Sequence, residues 1–392
     1  MTADLRVGVV GVGARAAFLS KLDGLGARVL AVADPRPGAA SRVAELFGDG
    51  VRIFPDHRLM CDAGPLDAVF VLSPDDTHAA IAVDLLERGI PVFLEKPIAT
   101  TVADADRILA VGTQTRGTLY VGHNMRHMAV VRTLKGVIDR GEIGAVRAIW
   151  CRHFVGDGGE YYFKDWHAAR SRSTGLLLQK GAHDIDVIHY LAGGYSTEVV
   201  GMGDLTVYGR ITDRRDNADM LMPQWHSRDN WPPLTLTGLH PVVDVEDLSM
   251  MLMRLDGGVL ASYQQCHYTP DYWRNYTVIG EAGRCENFGD GDGGVVRVWN
   301  RRSGYRADGD VQYPIRGDAD GHGDADRATI AEFLELVRSG TPTETSPVAA
   351  RNAVAAGIAA TESLRDGSTP RRVNPVPDDV AAYYRARSSA AW

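Results

Sequence analysis

At 392 residues the chain is too long for one compact core, so two domains are expected. Hydrophobic residues at 45% and charged residues at 23% match an ordinary globular protein. A net charge of -8 and a pI near 5.8 argue against a nucleic-acid or anionic-membrane surface.

The segment Met1–Arg6 enters a strand without a signal-peptide core, and no run of 18 apolar residues occurs. Arg6–Val10 is a short apolar run that breaks into Gly11-Val12-Gly13-Ala14-Arg15-Ala16 and continues as a helix-like Ala17-Phe18-Leu19. Strand, glycine turn and helix follow one another as in a dinucleotide-binding unit. Gly11 permits the tight turn, Gly13 admits the pyrophosphate, and Ala16 lets helix and strand pack closely. The helix N-terminus around Val12, Ala14 and Arg15 offers N–H groups to the phosphates. Val29–Ala33 is the second strand and Asp34 ends it, 18 residues after Ala16. A carboxylate there accepts the adenosine ribose hydroxyls and repels a 2'-phosphate, which favours NAD. Arg36, two residues on, leaves NADP open.

Strands and helices continue to alternate, as a parallel sheet requires. Asp67–Leu72 is an apolar strand running into Ser73-Pro74-Asp75-Asp76-Thr77-His78, with a helix from Thr77 to Arg88. Ser73 and Pro74 are expected to line the cofactor groove. His78 is counted with them, although it reads first as a helix-start residue packed on the sheet. Ile90–Leu94 leads into Glu95-Lys96-Pro97, so Glu95 and Lys96 stand at the carboxyl end of a buried strand, where ligands of open α/β sheets lie. Buried lysines shift their pKa downward readily, which suits proton transfer. Thr101–Arg116 is a helix, and Thr118–Val121 is the last strand before Asn124, a further cofactor candidate.

Six stretches in order make the chain resemble the Gfo/Idh/MocA oxidoreductases, the glucose-fructose oxidoreductase and inositol dehydrogenase group. They are Gly11-Val12-Gly13, Ser73-Pro74 with His78, Glu95-Lys96-Pro97, Val121-Gly122-His123-Asn124-Met125-Arg126, Gly181-Ala182-His183-Asp184-Ile185-Asp186 and Gly321-His322-Gly323-Asp324-Ala325-Asp326. The resemblance runs from about residue 5 to residue 366. It implies an α/β protein: a Rossmann domain over 1–123 and an α+β domain over 124–366 with an open, mostly antiparallel sheet, leaving 367–392 as a tail. It also implies hydride transfer between a nicotinamide and a carbon of a sugar or cyclitol, with Lys96 on the reacting hydroxyl.

In the second half, Met128–Arg140 is helical and Val146–Phe154 is a strand. His183, Asp186, Val187 and Tyr190 share one helical face, and Gln179 joins it if the helix begins early enough. Many members of the resembled family carry Asp where Gln179 stands. Gln cannot take a proton, which puts a three-member acid/base set in doubt. His183 is therefore the acid/base or hydroxyl-orienting candidate beside Lys96, with Asp186 expected to fix its tautomer. Arg126, Trp166, His167 and Gln179 complete the expected substrate side, while Asp184 and His189 receive no role. Trp231, Tyr268 and Trp273 are further rings able to stack on a sugar.

Residues 208–240 read as an insertion loop before strands at Glu246–Leu255 and Val259–Gln265. Asp290–Gly294 reads as a hairpin turn between Arg284–Phe288 and Val295–Trp299 rather than a calcium loop. Asp318–Asp326 resembles a family loop leading into the helix Ala328–Arg338, and Val348–Arg365 is a second helix. No metal site is expected. Four scattered cysteines suit reduced thiols in a cytoplasm. The expectation is an NAD(P)-dependent dehydrogenase of a sugar, glycoside or cyclitol, paired as a homodimer or homotetramer through the exposed sheet face. An NAD-dependent glycosidase working by transient oxidation and elimination stays open, as does a non-catalytic dinucleotide sensor.

Overall fold

The computed structural model describes residues 4–317 and 323–389. Six short apolar segments form a parallel sheet: β1 (Leu5–Val10), β2 (Ala27–Ala33), β3 (Arg52–Phe54), β4 (Ala68–Val71), β5 (Val92–Leu94) and β6 (Leu119–Val121). Their order is β3-β2-β1-β4-β5-β6, a Rossmann arrangement whose direction of winding reverses between β1 and β4. Val71, Leu94 and Val121 lie level in the register of β4, β5 and β6. Ser73, Lys96 and His123 therefore leave the sheet at one edge. On one face of it Phe93 stacks between Phe70 and Tyr120, with ring centroids 4.8 Å and 5.4 Å away, and Phe333 closes the cluster edge-on.

The segment after the glycine turn, expected as an ordinary helix, is a 3-10 helix over Ala14–Leu22. Thr101 caps the helix Val102–Thr115 by accepting the Asp104 N–H at 3.0 Å, one residue inside the expected start. Helices at Ala39–Phe47 and His57–Asp62, and strand β3, were not anticipated.

The second sheet has nine strands: β7 (Val146–Phe154), β8 (Ser196–Asp204), β9 (Leu248–Leu255), β10 (Leu260–Cys266), β11 (Trp273–Gly280), β12 (Arg284–Phe288), β13 (Val295–Trp299), β14 (Val311–Pro314) and β15 (Arg371–Arg372). All neighbours are antiparallel except β7 and β10. One face is covered by the helices Ala129–Asp139, Gly181–Ala192 and Pro347–Arg365. The other face exposes Trp150, Leu252 and Met202, each more than half accessible.

Packing crosses the chain order. Helix Gly323–Ser339 puts Ile330, Phe333 and Leu334 into the Rossmann core. The alanine-rich helix Pro347–Arg365 is buried between both sheets, with Val354 and Ile358 toward the first and Ala356 and Ala360 toward the second. The tail, expected on the surface or on another subunit, forms the helix Asp378–Arg385 and returns to the first sheet, where Val380 and Tyr384 are buried. Among the described residues no helix is long and apolar enough to cross a membrane.

Candidate active site

Gly11 has φ +88°, and a Cβ there would stand 2.8 Å from the Ser73 backbone, so the turn admits only glycine. Gly13 differs: a Cβ on it would meet nothing within 4 Å. That open cradle, beside an uncapped helix start, fits a pyrophosphate. At the end of β2 the Asp34 carboxylate accepts the Val12 N–H at 2.9 Å and is gripped by the Arg36 guanidinium at 3.0 and 2.8 Å. These bonds hold its pKa below the usual carboxylate value against the opposing effect of burial. Val12, Asp34 and Arg36 thus form one hydrogen-bonded unit at the end of β2.

The remaining cofactor candidates divide. Arg15 and Asn124 both bond Asp326, at 2.8 Å and 2.7 Å, which ties the glycine turn to the helix Gly323–Ser339; Glu95 lies 3.4 Å from Arg15. His78 is fully buried, its ring nitrogens 2.8 Å from the Pro97 carbonyl and 2.9 Å from that of Ser73. It is a brace between two loops rather than a cofactor contact. The Lys96–Pro97 bond it holds is cis. His322 lies outside the described residues.

Lys96 reaches from the carboxyl edge of β5 to donate to the Gln179 carbonyl of the other lobe at 3.1 Å. Burial lowers its pKa, with Asp75 and Glu95 opposing. Asp75 is itself buried among Lys96, His78, His167 and Gln179, and its Oδ2 has no hydrogen-bond partner among the described residues. Burial raises its pKa. Asp75 has no role assigned from the sequence, yet its charge acts on Lys96 more than that of Glu95 does, beside a position 179 that offers only an amide.

In the second lobe the His183 helix does not begin early enough to include Gln179. Leu176–Gln179 and Gly181–Ala192 are separate helices with Lys180 between them. His183 lies mostly buried with its Nδ1 unbonded, its ring 6.2 Å from that of His123. Burial, then the charges of Lys96 and Lys180, pushes its pKa well down, so the imidazole is neutral. Asp186 does not fix its tautomer as expected. It pairs instead with Arg126 through two bonds of 2.8 and 2.7 Å, and with His123 at 3.4 Å. Arg126 is wholly buried and spent on that pair and the Glu344 carbonyl, so it is not a substrate contact.

Asp184, given no role from the sequence, is the hub of a buried network. It receives Tyr263 at 3.0 Å and Tyr276, lies 2.9 Å from His153 and 3.1 Å from Arg274, and anchors the His183 helix to β7, β10 and β11. Trp166 stacks on His167 with centroids 3.7 Å apart, and His167 lies beside Asp165 and within reach of the Asp75 charge. Tyr268, just past β10, accepts from the Thr206 hydroxyl at 3.1 Å and packs edge-on against Tyr208 of the insertion 208–240. Trp231 stands half exposed on that insertion.

A family model described as "Oxidoreductase family, NAD-binding Rossmann fold" matches residues 5–123, and one for the GFO/IDH/MocA C-terminal domain matches 131–286. The chain belongs to the Gfo/Idh/MocA oxidoreductase family. The putative oxidoreductase YteT of Bacillus subtilis is 28% identical over 256 residues, covering 56% of this chain and 60% of that one. Inositol 2-dehydrogenase 1 of Saccharopolyspora erythraea is 41% identical over 201 residues, 50% of this chain and 56% of that one. The match thus spans little more than half the length of these relatives. The crystal structure of myo-inositol 2-dehydrogenase from Lactobacillus plantarum shares the fold with a TM-score of 0.73 at 17% identity, over 95% of this chain and all of that one.

As a Gfo/Idh/MocA protein the chain carries an NAD-binding Rossmann domain. The Asp34–Arg36 pair bears on its choice between nicotinamides. With Asp34→Ser the ribose loses a charged acceptor, about 1.5–3 kcal/mol, and Arg36 is released toward a 2'-phosphate. NADH binding, followed by fluorescence titration, is expected to weaken by about tenfold or more relative to NADPH. An unchanged ratio would show that the pair does not select.

Proposed function

We propose that the chain is an NAD-dependent dehydrogenase that moves hydride between the nicotinamide and a ring secondary alcohol, or the matching ketone, of a sugar, glycoside or cyclitol. The observation that carries this reading is the meeting of Lys96, from the edge of the Rossmann sheet, with the backbone of the helix pair that bears His183. Relatives named inositol 2-dehydrogenase support the cyclitol end of the range.

The bound dinucleotide supplies the hydride acceptor. The chain supplies the rest. Lys96, held by the Gln179 carbonyl and beside Asp75, presents an ammonium to the oxygen that gains negative charge. His183, neutral among cations, orients the hydroxyl through a ring nitrogen. Trp166 and His167 offer stacked rings at the rim. The test is NADH formation by the purified protein across monosaccharides, glycosides and inositols. Release of an aglycone with no net NADH would replace this reading with the glycosidase. NAD retention without any turnover, unaffected by Lys96→Ala, would replace it with the sensor.

The exposed sheet face supports self-association. Trp150, Leu252 and Met202 lie on β7, β9 and β8, with Met250 beside Met202 in the register and Leu260 on β10. Contiguous exposed apolar side chains of this kind mark interaction surfaces. Leu252→Asp is expected to lower the mass measured by light scattering from a dimer or tetramer. A chain already monomeric would reject the assignment.

A further inference from the structure

The reaction proposed above needs a group to take the hydroxyl proton, and the two residues expected to share that task are poorly placed for it. Burial first, and then the charges of Lys96 and Arg274, disfavour a further proton on His183. Burial lowers the Lys96 pKa, but its Nζ is already engaged by the Gln179 carbonyl and its charge is answered by Asp75 and Glu95. Gln179 carries an amide.

Lys180 is different. The carbonyl that Lys96 grips belongs to the peptide bond joining Gln179 to Lys180, and the two lysines lie close enough for the Lys96 charge to act on Lys180. The helix break places Lys180 between Leu176–Gln179 and Gly181–Ala192. Its Nζ stands 5.7 Å from the centre of the Tyr162 ring, and it makes no hydrogen bond or ion pair among the described residues. The charged groups that act on it come from several elements. Arg274 on β11 and Lys96 repel its charge, while Asp184 and Asp290 attract it from behind Arg274, with which both are already paired. His153, His183 and His267 also feel its charge.

The geometry points to Lys180 as the residue that takes the proton from the substrate hydroxyl during oxidation and returns it during reduction. In the oxidising direction the substrate O–H bond breaks and a bond forms between that hydrogen and the neutral Lys180 amine. The carbon's hydride leaves with two electrons to NAD, and the carbon–oxygen bond becomes a carbonyl. The ammonium then gives its proton up to water once the product has left. Burial first, then Arg274 and Lys96, brings its pKa down to about 7, which leaves much of it as free amine near neutrality. The assignment rests on the dehydrogenase reading above.

Two measurements separate them. Trace acylation of the intact protein with acetic anhydride from pH 5 to 10, read by peptide mass spectrometry, needs no substrate. Lys180 is expected to reach half its maximal labelling near pH 7, about three pH units below an exposed lysine. A midpoint above 9 overturns the proposal whatever the substrate proves to be. With the best substrate of the panel, Lys180→Arg keeps a cation but no accessible base. It is expected to lower kcat by about a hundredfold or more and to abolish the acid limb of the pH profile, while NAD affinity stays within about twofold. Ethylamine added to Lys180→Ala is expected to restore part of the rate. An Arg variant with near-normal kcat reduces Lys180 to a binding cation and overturns the proposal. Normal labelling with no turnover of any panel compound instead rejects the dehydrogenase reading and leaves the poised lysine standing.

Discussion

Replacing Lys96 with Met is expected to cut kcat/KM on the best carbohydrate substrate by about a thousandfold, the range for removing a group that stabilises charge and bonds the reacting oxygen. The loss should fall mainly on kcat, because the interaction strengthens as negative charge grows on the substrate oxygen. The fold should tolerate the change. Met fills much of the same volume, and Asp75, already raised by burial, can take a proton once its neighbouring cation is gone. Thermal melting of the variant within a few degrees of the parent, together with undiminished NADH binding, would place the defect in chemistry. Lys96→Arg should not rescue, because a planar guanidinium cannot occupy a site shaped for a point donor 3.1 Å from the Gln179 carbonyl. Steady-state kinetics of both variants decide it. A kcat within tenfold of the parent would remove Lys96 from the chemistry.

How far the sequence could be read depended on whether a signal was local. The glycine turn, the Glu95-Lys96-Pro97 strand end and β7 were legible because each is a short apolar run bounded by residues with a fixed conformational meaning. Val146–Phe154 was placed to the residue, and so were both arms of the hairpin around Asp290. Strand β11 was missed because Arg274 and Asn275 interrupt its apolar pattern, yet both are buried, paid for by Asp184 and Asn287 on other elements. Strand β8 was missed because two glycines and an exposed outer face leave little alternation. The same limit governed the site. Helical spacing correctly grouped His183 with Asp186, but spacing cannot tell which of two neighbours a carboxylate serves. Asp186 turns to Arg126, 60 residues away, and leaves His183 to its cations. Lys180 carried one local clue, a charge that, with Gln179, interrupts the small and apolar run from Gly175 to Ala182. Asp184 carried none, since its partners come from three strands.

That Arg126–Asp186 pair sets the second large expectation, this one on stability. Both side chains are essentially without solvent contact, so each balances a charge that water no longer reaches. Arg126→Met strands the Asp186 carboxylate and is expected to destabilise the protein by about 3–5 kcal/mol in urea unfolding at pH 7. His123, 3.4 Å away, offers partial cover and favours the lower end. Adding Asp186→Leu to the same chain should recover most of the loss, because two apolar side chains replace two buried charges. The pH dependence has a definite sign. Arg126 holds the Asp186 pKa far below the value of about 3.9 in an unfolded chain. Its contribution is therefore complete above about pH 4 and is lost as the pH falls further through the folded-state pKa. In Arg126→Met the lone buried carboxyl prefers its neutral form, so acidification relieves that variant while it weakens the parent. The stability gap between the two should begin to narrow above about pH 4, as the variant's carboxyl takes its proton, and go on narrowing below it as the parent weakens. A gap that stays constant from pH 7 to pH 3 would mean that the arginine acts by packing alone.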